Sequence, residues 1–254
     1  MPLIYEPKGK AREYSPLALN IYTGGCEHEC TYCYCKNITA WGKTPKVRSL
    51  AGLEKEAAKV REQVLLSFMS DPYALIESTA RNTRKALDIL RSAECSVAIL
   101  TKGGTRCLQD LDLFRNWPSA RIKVGATLTF ISDEPSLEHE PGAALPKDRI
   151  EALRRLHEAG VRTWASIEPV IDPVESLAVI EASLPYTDAY KVGKLNHKAS
   201  STNWTAFAYH AINMIRDAGK ALYVKEDLRK HVPPSSIRTE EADMNGLNLP
   251  PRPW

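Results

Sequence analysis

The sequence predicts an α/β fold, an open or partial (β/α)6 barrel of parallel strands, and three observations lead there. Short apolar runs alternate with amphipathic stretches about six times, and a crossover helix of fixed hand lets successive strands run parallel. Turn formers close the runs: Asp71-Pro72, Gly103-Gly104, Gly160 and Asp172-Pro173. The 254 residues, 43% of them hydrophobic, suffice for one sizeable core, and single α/β barrels commonly have this length.

In order, residues 5–14 are polar, broken by Pro7 and Gly9, and read as a short arm that Tyr5 and Tyr14 pack down. The first strand covers 18–22, and Gly24-Gly25 frees the backbone to wrap a loop over 24–35. A helix over 49–63 starts from Ser49 as N-cap and puts Leu53, Ala57 and Val60 on one face. The second strand, 64–69, stops at Ser70-Asp71-Pro72. A helix over 78–93 turns Thr83, Ala86, Leu87 and Leu90 inward, and the third strand, 96–100, ends at Thr101-Lys102. Thr105 caps a helix through Leu108, Leu111 and Phe114.

The fourth strand, 121–130, leads into a longer loop, 131–146, carrying Asp133 and His139. The helix over 147–159 buries Ile150, Leu153 and Leu156 and stops at Gly160. The fifth strand is 161–167, and Asp172-Pro173 opens the next helix as N-cap and first-turn proline. Residues 189–192 form the sixth strand, 204–218 the sixth helix and 221–224 a seventh strand. The barrel takes 1–230. The tail, 231–254, has five prolines and no apolar period, so it drapes over the barrel or stays mobile and is not a separate domain.

Four of the six cysteines fall within 24–35. Cys26, Cys30 and Cys33 are spaced C-x3-C-x2-C, with Cys35 two residues on. A structural zinc site takes four ligands, usually as two short pairs far apart, and no second pair follows. Three thiolates suit a 4Fe–4S cube held at three corners, with one iron left for a ligand that is not protein. A zinc knuckle or a redox thiol cluster is the alternative. Cys35 either replaces one of the three, fills the open corner, or points away as a spare thiol, and its spacing favours the last. His28, between the ligands, reads as exposed.

Cysteines grouped at ligand spacing fit a reducing, cytoplasmic setting. No apolar stretch approaches the roughly 20 residues of a membrane span, and residues 1–6 contain neither a basic nor an apolar leader segment. A net charge of +3 permits an anionic partner such as nucleic acid without demanding one. In parallel α/β folds the chemistry lies at the carboxyl ends of the strands. The polar residues there are expected to converge on the cluster: Asp71 after the second strand, Lys102 after the third, Thr127 and Thr129 on the fourth, Glu168 on the fifth, and Lys191 and Asn196 around the sixth. Each has a plainer role open to it. Asp71 is also a turn former before Pro72, Glu168-Pro169 also a strand end, Lys102 also a loop lysine, and Lys191 also an ion-paired residue at the core edge.

The run C-x3-C-x-Tyr-C after a first strand, with Tyr32 as the aromatic residue, resembles the signature of the radical S-adenosylmethionine (SAM) superfamily. The resemblance implies a 4Fe–4S cluster on Cys26, Cys30 and Cys33 with SAM chelated to the open iron. Reductive cleavage then gives methionine and a 5′-deoxyadenosyl radical that takes hydrogen from a substrate. It also implies a reducing partner such as flavodoxin or ferredoxin. Lys102 would meet the SAM carboxylate, and Glu168 the SAM ammonium or ribose. Within the superfamily, Tyr32-Cys33-Tyr34, Ser70-Asp71, Thr101-Lys102 and Glu168-Pro169-Val170 are similar to the spore photoproduct lyase group, also called DNA repair photolyases. By that likeness Tyr34 joins Tyr32 near SAM, Lys102 and Thr129 hold its polar end, Ser70 faces the substrate, and nucleic acid or a nucleotide is the favoured substrate. A peptide or small metabolite is the alternative. In that group a cysteine three residues before the Asp of the second-strand motif returns hydrogen to the substrate radical. Phe68 stands there in this chain and cannot donate, so thymine-dimer reversal does not follow.

Overall fold

The computed structural model describes residues 2–37, 41–195 and 201–251; Asn196, expected near the site, lies outside the described residues. In chain order the strands are β1 (Ile4–Tyr5), β2 (Leu17–Leu19), β3 (Tyr22–Thr23), β4 (Lys46–Val47), β5 (Val64–Leu66), β6 (Val97–Thr101), β7 (Ile122–Thr127), β8 (Arg162–Ile167), β9 (Ala189–Val192) and β10 (Ala221–Val224). β3 and β4 pair only with each other, antiparallel. The other eight form one sheet in the order β1-β2-β5-β6-β7-β8-β9-β10. β1 is antiparallel to β2, and every later pairing is parallel. The edges β1 and β10 do not pair, so the sheet curls into a partial barrel, as the alternation predicts.

The helices are α1 (Leu53–Ala57), α2 (Glu77–Ala80), α3 (Asn82–Ser92), α4 (Leu111–Arg115), α5 (Asp133–His139), α6 (Pro146–Glu158), α7 (Pro173–Ser183), α8 (Trp204–Asp217), α9 (Glu226–Arg229) and α10 (Thr239–Ala242). Thr105 does not cap a helix through Phe114 but donates to Asp148 (2.7 Å from its hydroxyl), and only Leu111–Arg115 is α-helical there; at other helices too a specific contact accompanies the departure from expectation. The helix expected over 49–63 begins only at Leu53. The Ser49 hydroxyl accepts from Ala51 N–H (3.3 Å) in a turn, and Gly52, at φ 91°, sets the start. The helix expected over 78–93 breaks at Arg81 (φ 52°). Glu77 causes the break, because its carboxylate accepts the N–H groups of Thr83 (2.8 Å) and Arg84 (3.3 Å) and so caps α3 from α2. The loop expected over 131–146 contains α5, whose start is satisfied from across the fold. Glu175 accepts from Ile131 N–H (2.9 Å), Ser132 N–H (2.8 Å) and the Ser132 hydroxyl (2.7 Å). In α6, Leu153 and Leu156 are buried as expected, while Ile150 is only half-buried and Arg149 is buried in its stead.

Apolar side chains pack between the sheet and the helices on its outer face, and a smaller group of Leu65, Ala98 and Trp164 fills the barrel interior. The Trp164 indole lies across β7 at Gly125 and donates to the Ile99 carbonyl on β6 (2.9 Å). Any Cβ at Gly125 would come within 2.5 Å of the ring. Of the two courses open to the C-terminal segment, the described residues take the first and lie against the barrel. It crosses the amino ends of the strands: Leu249 N–H donates to the Gln63 side chain (3.0 Å), Ser96 to the Pro250 carbonyl and Lys123 to the Leu247 carbonyl. It therefore forms the floor of the barrel. None of the described helices is long and apolar enough to cross a membrane.

Gly125→Ala sets a methyl against the Trp164 carbonyl (2.3 Å) as well as its ring (2.5 Å), so backbone and ring must both shift in a packed interior, which costs about 1–3 kcal/mol. Urea denaturation read by intrinsic fluorescence is expected to show that loss, and an unchanged midpoint would refute the account of this contact.

A thiol-lined candidate active site

The loop after β3 is pinned from several directions, and that pinning aims its cysteines. Cys26 N–H donates to the Gly42 carbonyl (3.2 Å), the Glu27 carboxylate accepts from Ile76 N–H (3.0 Å), and Thr31 N–H donates to the His139 carbonyl (2.8 Å). At Gly142, which donates to the His28 carbonyl (3.1 Å), an added Cβ would lie 1.9 Å from the Glu27 carbonyl, so only glycine lets the two loops touch. The result is a cavity of about 600 Å³ at the carboxyl ends of the strands, within the usual range for a small-molecule site. Cys26, Cys30, Cys33 and Cys35 all line it. Cys35 is buried and faces the same space as the other three; it does not point away. Burial pushes the Cys26 thiol up to about 12 and raises that of Cys30. The Cys35 thiol, donating to Cys33, brings the Cys33 thiol down to about 6.

Two buried charge clusters frame the cavity. Beside the thiols, Glu140 meets Arg149 (2.5 Å) and Lys102 (3.6 Å), and accepts from the hydroxyls of Tyr32 and Thr129 (3.2 Å). Arg149 also donates to the carbonyls of Thr127 (3.0 Å) and Ala144 (2.7 Å), which fixes the end of β7. Burial works against the Lys102 charge, but Cys30, Tyr32 and Glu140 outweigh it and hold its amine well above the ordinary lysine value. On the opposite wall, the Tyr14 hydroxyl donates to Glu168 (2.6 Å) and lies 2.9 Å from the Ser166 hydroxyl. Lys225 pairs with Glu168 and with Glu13 (3.5 Å), its amine 4.3 Å from the Tyr14 ring centroid.

The structure brings most of the expected residues to this cavity: Tyr32, Tyr34, Ser70, Asp71, Lys102, Thr127 and Glu168 line it with the cysteines. Thr129 and Lys191 do not. Thr129 is spent on Glu140, and Lys191 is fully buried behind the wall, donating to the carbonyls of Glu13 and Tyr14 (3.2 Å for the second). Asp71 serves the turn, accepting from the Thr101 hydroxyl (2.6 Å) and from the N–H groups of Lys102 (2.8 Å) and Tyr73 (2.8 Å). Ser70 has φ 61°, uncommon for a residue with a side chain, and its buried hydroxyl has no hydrogen-bond partner among the described residues. Tyr34, 54% exposed, forms the lip and donates to the Phe68 carbonyl (2.9 Å). His28 is buried, not exposed. Tyr14, Glu13, Glu140, Arg149 and Lys225 were not singled out for the site. Only Lys225 had a signal, since it follows a strand just as Lys102 does.

Cys26, Cys30, Cys33 and Cys35 line one cavity and could each supply a thiolate there; among the described residues no group of three or more His, Cys, Asp or Glu is placed to hold a metal ion as the side chains stand. All six cysteines are free thiols.

The family model described as the radical SAM superfamily matches residues 20–184. An uncharacterized protein of Methanocaldococcus jannaschii is 35% identical over 185 residues, covering 69% of each chain. An uncharacterized protein of Acidianus two-tailed virus is 26% identical, over 61% of this chain and 56% of that one. Among solved structures, spore photoproduct lyase complexed with dinucleoside spore photoproduct superposes with a TM-score of 0.68 at 14% identity, over 87% of this chain and 78% of that one. Streptococcus suis SuiB bound to its precursor peptide SuiA gives 0.66 at 12% identity, over 89% of this chain but only 54% of SuiB. At these identities both likenesses concern the fold.

Glu140 is a buried anion between the buried Arg149 and the half-buried Lys102, and losing one partner of a buried pair such as Glu140–Arg149 costs about 3–5 kcal/mol. Burial works to raise its carboxyl, but Arg149 and Lys102 outweigh that and hold it below the ordinary range. Its stabilising effect is therefore complete above about pH 4.3 and lost as pH falls through its lower folded value. Glu140→Gln is expected to lower stability by a constant amount from about pH 7 to 5, with the gap closing below about pH 4. Urea melts at a series of pH values check this, and a gap independent of pH refutes it.

Proposed function

The chain belongs to the radical SAM superfamily, and from that membership we propose that Cys26, Cys30 and Cys33 hold a 4Fe–4S cluster beside a SAM-binding cavity. When bound and reduced, cluster and SAM supply a 5′-deoxyadenosyl radical that removes hydrogen from a substrate. The observation that carries this reading is that the three thiols share one wall of a cavity large enough for a nucleoside-sized ligand. The charges beside it agree. Lys102 and Arg149 against the single carboxylate of Glu140 leave one positive charge next to Cys30, which offsets thiolate charge and suits a carboxylate ligand. Tyr14, Glu168 and Lys225 supply the opposite wall with a hydroxyl, a carboxylate and an amine, all held in place by one another. A low-potential electron donor of the flavodoxin or ferredoxin kind serves as the reductant.

For the substrate we propose nucleic acid, presented as an unstacked base. The support is the mouth of the cavity, where aromatic side chains Tyr34, Phe68 and Trp41 stand among the exposed Lys8 and, outside the thiol loop, Lys36. Stacking surface flanked by cations suits a base with its phosphates. Phe68 packs edge-on to Tyr14 (6.0 Å) and offers no hydrogen atom to return, so the reaction differs from dimer reversal in its closing step. A peptide substrate, as in the SuiB complex, is the competing outcome.

Anaerobic reconstitution is expected to give about four irons per chain and 5′-deoxyadenosine on adding dithionite and SAM. Cys26→Ala, Cys30→Ala and Cys33→Ala each lose the chromophore, while Cys35→Ala keeps it. Zinc in place of iron, or full turnover by the first three variants, sinks the cluster assignment. Binding of single-stranded oligonucleotide is expected to weaken as salt rises and to lose about 1–3 kcal/mol in Tyr34→Ala. Salt-insensitive binding, together with transfer of deuterium to 5′-deoxyadenosine from a labelled peptide pool only, refutes the nucleic-acid reading.

A further inference from the structure

Three side chains from separate elements meet just past the end of β9. The Lys194 amine lies 3.1 Å from His231 Nε2 and 5.2 Å from the centroid of the Trp204 ring, and the Trp204 and His231 rings are 6.3 Å apart. Trp204, at the start of α8, is buried and packs edge-on to Phe207, so it cannot yield. The His231 backbone is fixed as well: its N–H donates to the Leu228 carbonyl (3.0 Å) and its carbonyl accepts from the Thr205 hydroxyl (2.8 Å). The cluster therefore ties Lys194 to α8 and to the segment after α9. What it holds is a wall of the cavity. Gly193 N–H donates to the Ile167 carbonyl (3.0 Å), an added Cβ at Gly193 would lie 2.7 Å from Glu168 Oε1, and Leu195 lines the cavity.

A lysine ammonium has only donors, so the 3.1 Å contact is a hydrogen bond from Lys194 to a bare Nε2, and it exists only while the imidazole is neutral. Protonation makes Nε2 a second donor and sets two positive charges against each other. The charged groups that face the ring are Lys194 and, from α9, Asp227. Asp227 is already paired with Lys10 of the arm and with Lys230 (3.0 Å), so it is poorly placed to offset the repulsion. From α8, Trp204 and Thr205 meet His231, and neither carries a charge. Burial and the Lys194 charge hold the imidazole below the ordinary histidine value, with Asp227 working the other way. The bond is therefore complete above about pH 6.5 and lost as pH falls through that lower folded value.

We propose that the Lys194–His231 bond is an acid-released latch, which fixes residues 193–195 against Glu168 at neutral pH and frees this wall of the cavity when His231 takes up a proton. The test is amide hydrogen exchange by NMR on the whole chain, from about pH 7.5 to about pH 5, with rates corrected for intrinsic chemistry. Protection of the Gly193 amide is expected to fall about tenfold, the worth of one hydrogen bond. Protection of the Cys95 amide, bonded to the Leu90 carbonyl (2.9 Å) just before β6, holds. His231→Gln keeps an acceptor without a titrating group, and its Gly193 protection stays level across the range. Lys194→Met shows the loosened wall at every pH. Constant Gly193 protection in the wild type, an equal fall in His231→Gln, or an equal fall at Cys95 overturns the proposal. If His231→Gln does not fold, Lys194→Met decides alone, since a fall with pH that survives without the lysine also overturns it.

Discussion

The site depends first on one buried carboxylate. Glu140 joins four parts of the chain that are far apart in sequence: the thiol loop through Tyr32, the end of β6 through Lys102, the residues after β7 through Thr129, and α6 through Arg149. An isolated charge in that position would be prohibitive, and so would either cation alone. Together they form a set whose members hold one another at fixed places, and the set keeps a net positive charge next to Cys30. The contacts of Thr31 with His139 and of His28 with Gly142 then hold α5 and the loop after it to the cysteine loop, so the wall behaves as one unit.

The second constraint is the split in the barrel. β1 and β10 leave the sheet open, and the N-terminal arm lies along the gap. Glu13 accepts from the Tyr223 hydroxyl (2.7 Å) and Glu226 N–H (2.9 Å), while Lys191 donates to the arm's backbone. Tyr14 thereby reaches the cavity, where Glu168 and Lys225 fix its hydroxyl and ring. A segment expected merely to pack down is a wall of the site. Three lysines, Lys123, Lys191 and Lys225, are buried along this interior, and each is tied to a carbonyl or carboxylate, as buried polar groups require; burial lowers the Lys123 amine to about 7 and that of Lys191 well below the ordinary lysine value.

How much of this is legible in the sequence follows from the range of each interaction. The parallel alternation, the strand ends at Asp71 and Lys102, and the cysteine loop are local or periodic signals, and the structure places them as expected. The break at Arg81 and the helix α5 depend on Glu77 and Glu175 as caps, and Glu175 is more than forty positions from the residues it satisfies, at |i−j| of 44 and 43. Glu140 has no motif at all; it matters only because the fold delivers Arg149 and Lys102 to it. Cys35 and His28 were misplaced for a related reason. Spacing along a loop says how far apart side chains are, not toward which side a tightly pinned loop turns them. Of the polar residues at the strand ends, Asp71, Lys102, Thr127 and Glu168 line the cavity, whereas Thr129 and Lys191 lie behind the wall.

The thiol loop is also approached from its outer side, through a smaller recess of about 280 Å³ bordered by Trp41, Lys36 and Lys43 that reaches Cys26, Cys30 and Cys33. Cys26 and Cys33, both half-buried, are therefore approachable from the far face as well as from the main cavity, whereas the buried Cys30 and Cys35 are sheltered between the two.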